Sequence, residues 1–194
     1  MRIRPALRVA VAALLALAAS GCFNAFNVLD DNFKPRGRSI AVIAGVPEDA
    51  NLVVATLVTE ELRKQSRYQV MSQAQIAGAV KPYPQLIKGP YRSAYFEVDV
   101  DWKLTDKQKL ASIQRALGVD YLYVMWAPTA VSSGGKAMSL HLVAQLFEFP
   151  GAKEVGQGAF LLYFNKDDPS NLKQGAEQVA RQLAEKTRML GKGQ

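Results

Sequence analysis

The sequence predicts an α/β fold: a single domain on one mixed sheet, parallel in its first half and closed by an antiparallel hairpin, flanked by helices. Three observations predict it. Residues 39–46 form a nearly continuous apolar run of strand length, followed directly by a segment of helical period. A second such run, residues 121–126, follows another helix-period segment that ends at Gly118. Two long strand-like segments then meet at Pro150-Gly151. Runs that are apolar at every position suit strands covered on both faces, as helix-linked parallel strands are.

Each element has its own signal. Residues 23–37 (FNAFNVLDDNFKPRG) lack sustained periodicity and break at Lys34-Pro35-Arg36-Gly37, which predicts a tether at 22–37. The alternative for Phe23, Phe26 and Phe33 is packing on the domain or contact with a bilayer. The run 39–46 is the first central strand, closed by Pro47. Glu48 and Asp49 place acids at the positive end of the next helix, and Arg63 and Lys64 place bases near its negative end. The core stripe of that helix is Val54, Leu57, Val58, Glu61 and Leu62.

Residues 68–71 read as a short strand. Ser72 and Gln75 form a Ser-x-x-Gln capping box for a short helix carrying Ile76, Ala79 and Val80. Residues 81–94 are irregular, because Pro82, Pro84, Gly89 and Pro90 forbid regular helix and disfavour a central strand. In 95–102, Phe96, Val98, Val100 and Trp102 alternate with Glu97, Asp99 and Asp101, the period of a half-buried strand. Thr105 and Gln108 suggest another capping box, opening a helix with Leu110, Ile113 and Leu117 inward and Gly118 as its stop. Residues 120–126 follow as a strand, 132–136 as a loop, 137–149 and 154–164 as two long strands. A final helix spans roughly 168–190, with Leu172, Ala176, Val179, Leu183 and Leu190 on one side.

The amino terminus has a different character. Arg2, Arg4 and Arg8 precede an apolar stretch at 9–19 and the small residues Ala19-Ser20-Gly21. That arrangement is a secretory signal at 1–21. The stretch falls short of the roughly 20 apolar residues that cross a bilayer. The only cysteine, Cys22, comes directly after it, so it has no disulfide partner in the chain. The position resembles the acylated cysteine of bacterial lipoproteins, with Ala19 where those signals usually carry leucine. The resemblance implies a diacylglyceryl thioether on Cys22, a further acyl chain of the palmitate type on its amine, and stable anchoring. Phe23, rather than aspartate, follows Cys22; by the same resemblance the chain is sorted to the outer membrane and faces the periplasm.

Removing residues 1–21 takes away three arginines and no acid, so the formal net charge falls from +7 to +4. Much of the basicity therefore belongs to the signal, and nucleic acid is not expected as a partner. A mildly basic surface is compatible with anionic headgroups or peptidoglycan.

Four segments carry a family resemblance: SIAVIAGV, VVATLVTEELRKQ, RYQVMSQAQI and ALGVDYLYVMW. Together they are similar to a group of envelope proteins. The group includes the curli-secretion channel lipoprotein, the lipoprotein activators of penicillin-binding proteins and the amino-terminal domain of the periplasmic Tol protein. The resemblance spans roughly 38–164 and implies an envelope assembly or binding module without catalytic residues.

The inventory of reactive groups points the same way. The one histidine, His141, lies within a strand, and no Gly-x-Ser-x-Gly elbow accompanies it. Ser132, Ser133 and Lys136 read as a polar turn rather than a Ser-Lys pair. SSGGK lacks the spacing of a phosphate-binding loop. Gly156-Gln157-Gly158 lacks the third glycine of a dinucleotide site and marks a bulge or close backbone packing instead. Glu97, Asp99 and Asp101 lack the loop geometry of a calcium site. No enzyme activity, metal or cofactor is expected.

The remaining candidate is a surface. The insertion at 81–102 holds Tyr83, Tyr91, Arg92, Tyr95, Phe96 and Trp102, the residue types that dominate partner contacts. The alternative is that it folds back over its own core. The expected function is that of a lipid-anchored, non-enzymatic binding or assembly module at 38–190, with an envelope protein or peptidoglycan as partner. The rival is a subunit of an oligomeric outer-membrane secretion channel.

Overall fold

A computed structural model describes residues 25–87, 105–132, 137–165, 167–168 and 170–189. The elements are β1 (Ala25–Val28), β2 (Ser39–Ala44), α1 (Asp49–Gln65), β3 (Gln69–Val70), α2 (Gln73–Ala79), α3 (Lys107–Leu117), β4 (Tyr121–Ser132), β5 (Ala137–Glu148), β6 (Lys153–Asn165) and α4 (Ser170–Lys186). Six strands form one sheet in the order β1-β6-β5-β4-β2-β3. β2 runs parallel to β3 and β4; β4, β5, β6 and β1 pair antiparallel. The expected mixed α/β sheet is therefore the fold.

The apolar runs are explained by what covers them. On one face Ile40, Val42 and Ala44 of β2 join Tyr123 and Met125 of β4 beneath α1 and α4. On the other face Ala41, Ile43, Leu122 and Val124 meet Ile76 of α2 and Leu110, Ile113 and Leu117 of α3. Both faces are covered, so Ile40–Ala44 are buried and apolar throughout, and the polar Ser39 sits at the less buried start of the strand. The α1 stripe includes Val54, Val58, Glu61 and Leu62 as expected, with Asn51, Ala55 and Thr59 added. Thr59 tolerates burial because its hydroxyl donates to the Ala55 carbonyl at 2.6 Å. The Ser72–Gln75 capping box is formed in both directions. Gly118 ends α3 in the left-handed region, φ 64°, where a side chain is disfavoured.

Several boundaries differ from expectation, each for a physical reason. The first turn of α3 is capped by Asp106, not Thr105. The Asp106 carboxylate accepts from the Gln108 and Lys109 amides, while the Thr105 hydroxyl is bonded to Gln145 instead. Ala79 is exposed, leaving Ile76 as the buried residue of α2. Ser132 belongs to β4, since pairing with β5 extends to Met138. α4 starts at Ser170, where Asp168 Oδ1 accepts the Ser170 amide. The expected strand at 95–102, the polar turn 133–136 and Leu190 lie outside the described residues.

The largest difference concerns the segment read as a tether. Ala25–Val28 adds an edge strand to β6, and Phe26 and Phe33 are buried in the core. Packing of these two rings on the domain is thus what occurs. Apolar ring burial offsets the entropy of ordering a short strand. Gly156 makes it possible, as an ideal Cβ there would lie 2.6 Å from Phe26 Cζ. Of the bulge or close packing expected at Gly156-Gln157-Gly158, the close packing is seen at Gly156, while the register shift of β6 against β5 falls just before it, at Val155.

Candidate functional site

The insertion is built on the carboxyl end of β2. Gly45 follows that strand, and its carbonyl accepts from the Leu86 amide at 2.7 Å and the Ile87 amide at 3.1 Å. The approach requires glycine: a Cβ on Gly45 would sit 2.7 Å from Ile87 Cγ1. Leu86 and Ile87 are buried against Ala41, Ile43 and Val124. The returning chain is held at the same place. Ile87 pairs antiparallel with Thr105, and the Asp106 amide donates to the Leu86 carbonyl at 2.8 Å. The described residues on either side of 88–104 thus form a closed base, bonded to each other and to Gly45 at the end of β2.

A polar chain, buried at Thr105 and Gln145 and half-buried at Glu154, ties that base to the hairpin. Thr105 Oγ1 bonds Gln145 Oε1, and Gln145 Nε2 donates to Glu154 Oε1 at 2.7 Å. Burial pushes the Glu154 carboxyl above its ordinary pKa, against the Gln145 hydrogen bond and the Lys107 charge. Lys109 Nζ, from α3, donates to the Gln85 carbonyl at 3.0 Å.

Of the six candidate contact residues, the structure describes Tyr83. Its ring packs between the two cores, and its hydroxyl accepts the Ala44 amide at 2.9 Å. Burial pushes the phenol up to about 12. Tyr83 thus secures the root of the insertion. Cys22, Tyr91, Arg92, Tyr95, Phe96 and Trp102 lie outside the described residues, as do Glu97, Asp99 and Asp101.

A second polar cluster, at the opposite end of the sheet, was not singled out from the sequence. Asp120 Oδ2 accepts from the Arg38 amide, the Ser39 amide and the Ser39 hydroxyl at 2.8, 3.0 and 2.8 Å. The Asp120 amide donates back to Ser39 Oγ at 3.0 Å. Tyr121 Oη accepts from the Arg36 and Gly37 amides and donates to Glu148 Oε1. These groups border a cleft also lined by Pro150 and Lys153. The Arg38 amide, followed by the Ser39 groups, holds the Asp120 carboxyl below its ordinary pKa. An acid so committed to backbone fastens strand ends rather than moving protons. The signal was Gly118-Val119-Asp120, visible as a strand lead but silent about the 81-residue separation from Ser39.

His141 stands across from Thr129 and Leu161, so neither direct cross-strand neighbour supplies a carboxylate. Among the described residues no group of three His, Cys, Asp or Glu is placed to hold a metal. Nor is any helix among them long and apolar enough to cross a membrane.

No family model and no curated protein matches the sequence. Solved structures do. The PelC dodecamer from Paraburkholderia phytofirmans, as a single-site variant, aligns over 87% of this chain and 99% of its own, with 11% identity and a TM-score of 0.52. The chain shares its fold with PelC. A second PelC crystal form gives 82%, 96%, 11% and 0.51. Lipoprotein GNA1162 from Neisseria meningitidis aligns over 76% of this chain and 99% of its own, at 14% identity and a TM-score of 0.48. At these identities the likeness to PelC concerns the fold alone.

Proposed function

We propose that this chain is a lipid-anchored protein of the bacterial envelope that works as a non-enzymatic binding or assembly module. Residues 1–21 are the signal, Cys22 is the acylated terminus, and Phe23 directs the chain to the periplasmic face of the outer membrane. The binding module is the domain at 38–190, and the strand Ala25–Val28 packs on its sheet. One observation carries the binding reading: the closed base at Ile87 and Thr105. The sequence between these two bonded residues is rich in Tyr, Trp and Arg, the residue types that dominate partner contacts.

The test compares material recovered from solubilised envelopes with the wild-type protein and with a Tyr91→Ala/Trp102→Ala variant. Loss of an envelope protein or of peptidoglycan fragments with the variant supports the loop as the contact. Equal recovery of every partner removes it. Intact mass of the mature protein tests the anchor, since acylated Cys22 must be the first residue.

A second reading is favoured by one comparison. PelC, whose subunit has this fold, is a dodecamer. This chain would then be one subunit of an oligomeric outer-membrane secretion assembly. Mass photometry of the detergent-extracted protein separates the readings: a single-subunit mass eliminates the ring.

A further inference from the structure

The sheet has a projecting end. β2 pairs with β4 only as far as Ala44 and Met125, and β1 covers β6 only between Gly156 and Ala159. Beyond those points three strands continue together. Thr129–Ser132 of β4 stay paired with Met138–His141 of β5, and β5 stays paired with β6 as far as Asn165. Tyr163 of β6 lies on this projection and is 65% exposed, the most exposed large apolar side chain among the described residues.

The direction of β1 relates this end to the amino terminus. β1 is antiparallel to β6, with Ala25 opposite Ala159 and Val28 opposite Gly156. The chain therefore comes into β1 from the side toward which β6 continues, the side of Tyr163. Cys22 precedes Ala25 by three residues, which span at most about 11 Å. Tyr163 is four residues beyond Ala159, roughly 13 Å along the strand. The leash is thus no longer than the projection. A body tied so closely cannot hang free of its anchor.

We propose that the projecting end of β4, β5 and β6 rests on the leaflet that carries the acyl chains, with the Tyr163 ring at headgroup level. This rests on acylation of Cys22. The ligand is the bilayer surface. An exposed tyrosine suits it, because the ring enters the interfacial layer while the hydroxyl stays hydrated. The cleft bordered by Asp120 and Lys153, at the far end of the sheet, then faces away from the membrane.

The test uses the full-length chain, processed in its host and reconstituted in phosphatidylethanolamine/phosphatidylglycerol vesicles. Cys22 is blocked by its lipid, so an introduced cysteine is the one free thiol. Tyr163→Cys and, as the distal control, exposed Ala116→Cys near the end of α3 each receive an environment-sensitive fluorophore. Spin-labelled headgroup lipids are expected to quench the probe at 163 at least threefold more than the probe at 116. Equal quenching, or stronger quenching at 116, overturns the orientation. Intact mass on the same samples reports acylation separately. An unmodified Cys22 ends the anchor reading and this proposal together; an acylated Cys22 with an unquenched probe at 163 ends this proposal alone.

Discussion

The ring of Phe26 occupies the space over Gly156, so close that a Cβ there would lie 2.6 Å from Cζ and 2.7 Å from Cε1. Phe26 sits one strand away, and its ring also meets Tyr123 edge-on at 6.2 Å between centroids. This pair turns a polar-looking leader into an edge strand.

Substitution at either residue should release β1. Phe26→Ala should cost about 3 kcal/mol as a core ring deletion. Gly156→Val should cost roughly 1–3 kcal/mol by overpacking. Urea midpoints of the mature protein measure both. The double variant should be less destabilised than the sum, because each change removes the same contact.

Asn51, in the first turn of α1, accepts the Ala127 amide at 2.6 Å, where β4 shifts register between Trp126 and Thr129. That bond is buried and lies at the gap in the β4–β5 pairing. Asn51→Ala should cost roughly 1–3 kcal/mol by leaving the amide unsatisfied. Hydrogen exchange at Ala127 should accelerate beyond the change in global stability.

Tyr83 predicts an alkaline effect. Its folded pKa, about 12, lies above the ordinary tyrosine value, so the native state holds the phenolic proton more tightly than the unfolded state. This share of stability is complete below about pH 10 and is lost as the pH rises toward 12. Tyr83→Phe should remove that share of the fall and cost roughly 1–3 kcal/mol at neutral pH, since the Ala44 amide loses its acceptor. Urea midpoints between pH 8 and 11 check both.

Asp120 predicts the acid counterpart. Its folded pKa is depressed, so its stabilisation is complete above the unfolded value of about 4 and falls away as the pH drops through the folded value. Asp120→Ala should cost roughly 1 kcal/mol at pH 7 and show a shallower loss below pH 4 than wild type. Carboxyl chemical shifts followed through an acid titration check the direction independently.

Local signals reported local structure well. The Ser72 capping box, the Gly118 stop and the inward face Leu110, Ile113 and Leu117 follow from residues a few positions apart. At Thr105 local spacing points to the wrong role. Its spacing to Gln108 fits a cap, but Gln145, 40 residues away, holds its hydroxyl. The candidate contact set divided similarly. Tyr83 has the composition of a surface contact, and only its bond to Ala44 reveals it as a root of the insertion.

The sequence by itself determined the mixed α/β architecture, because burial on one or both faces of an element is written in the period of its apolar residues. The tertiary structure decided the rest: that Ala25–Val28 joins the sheet, that Asp120 fastens Ser39, and that the insertion closes at Ile87 and Thr105. Those contacts join residues 18 to 134 positions apart, and no period within one segment can encode a partner that lies in another.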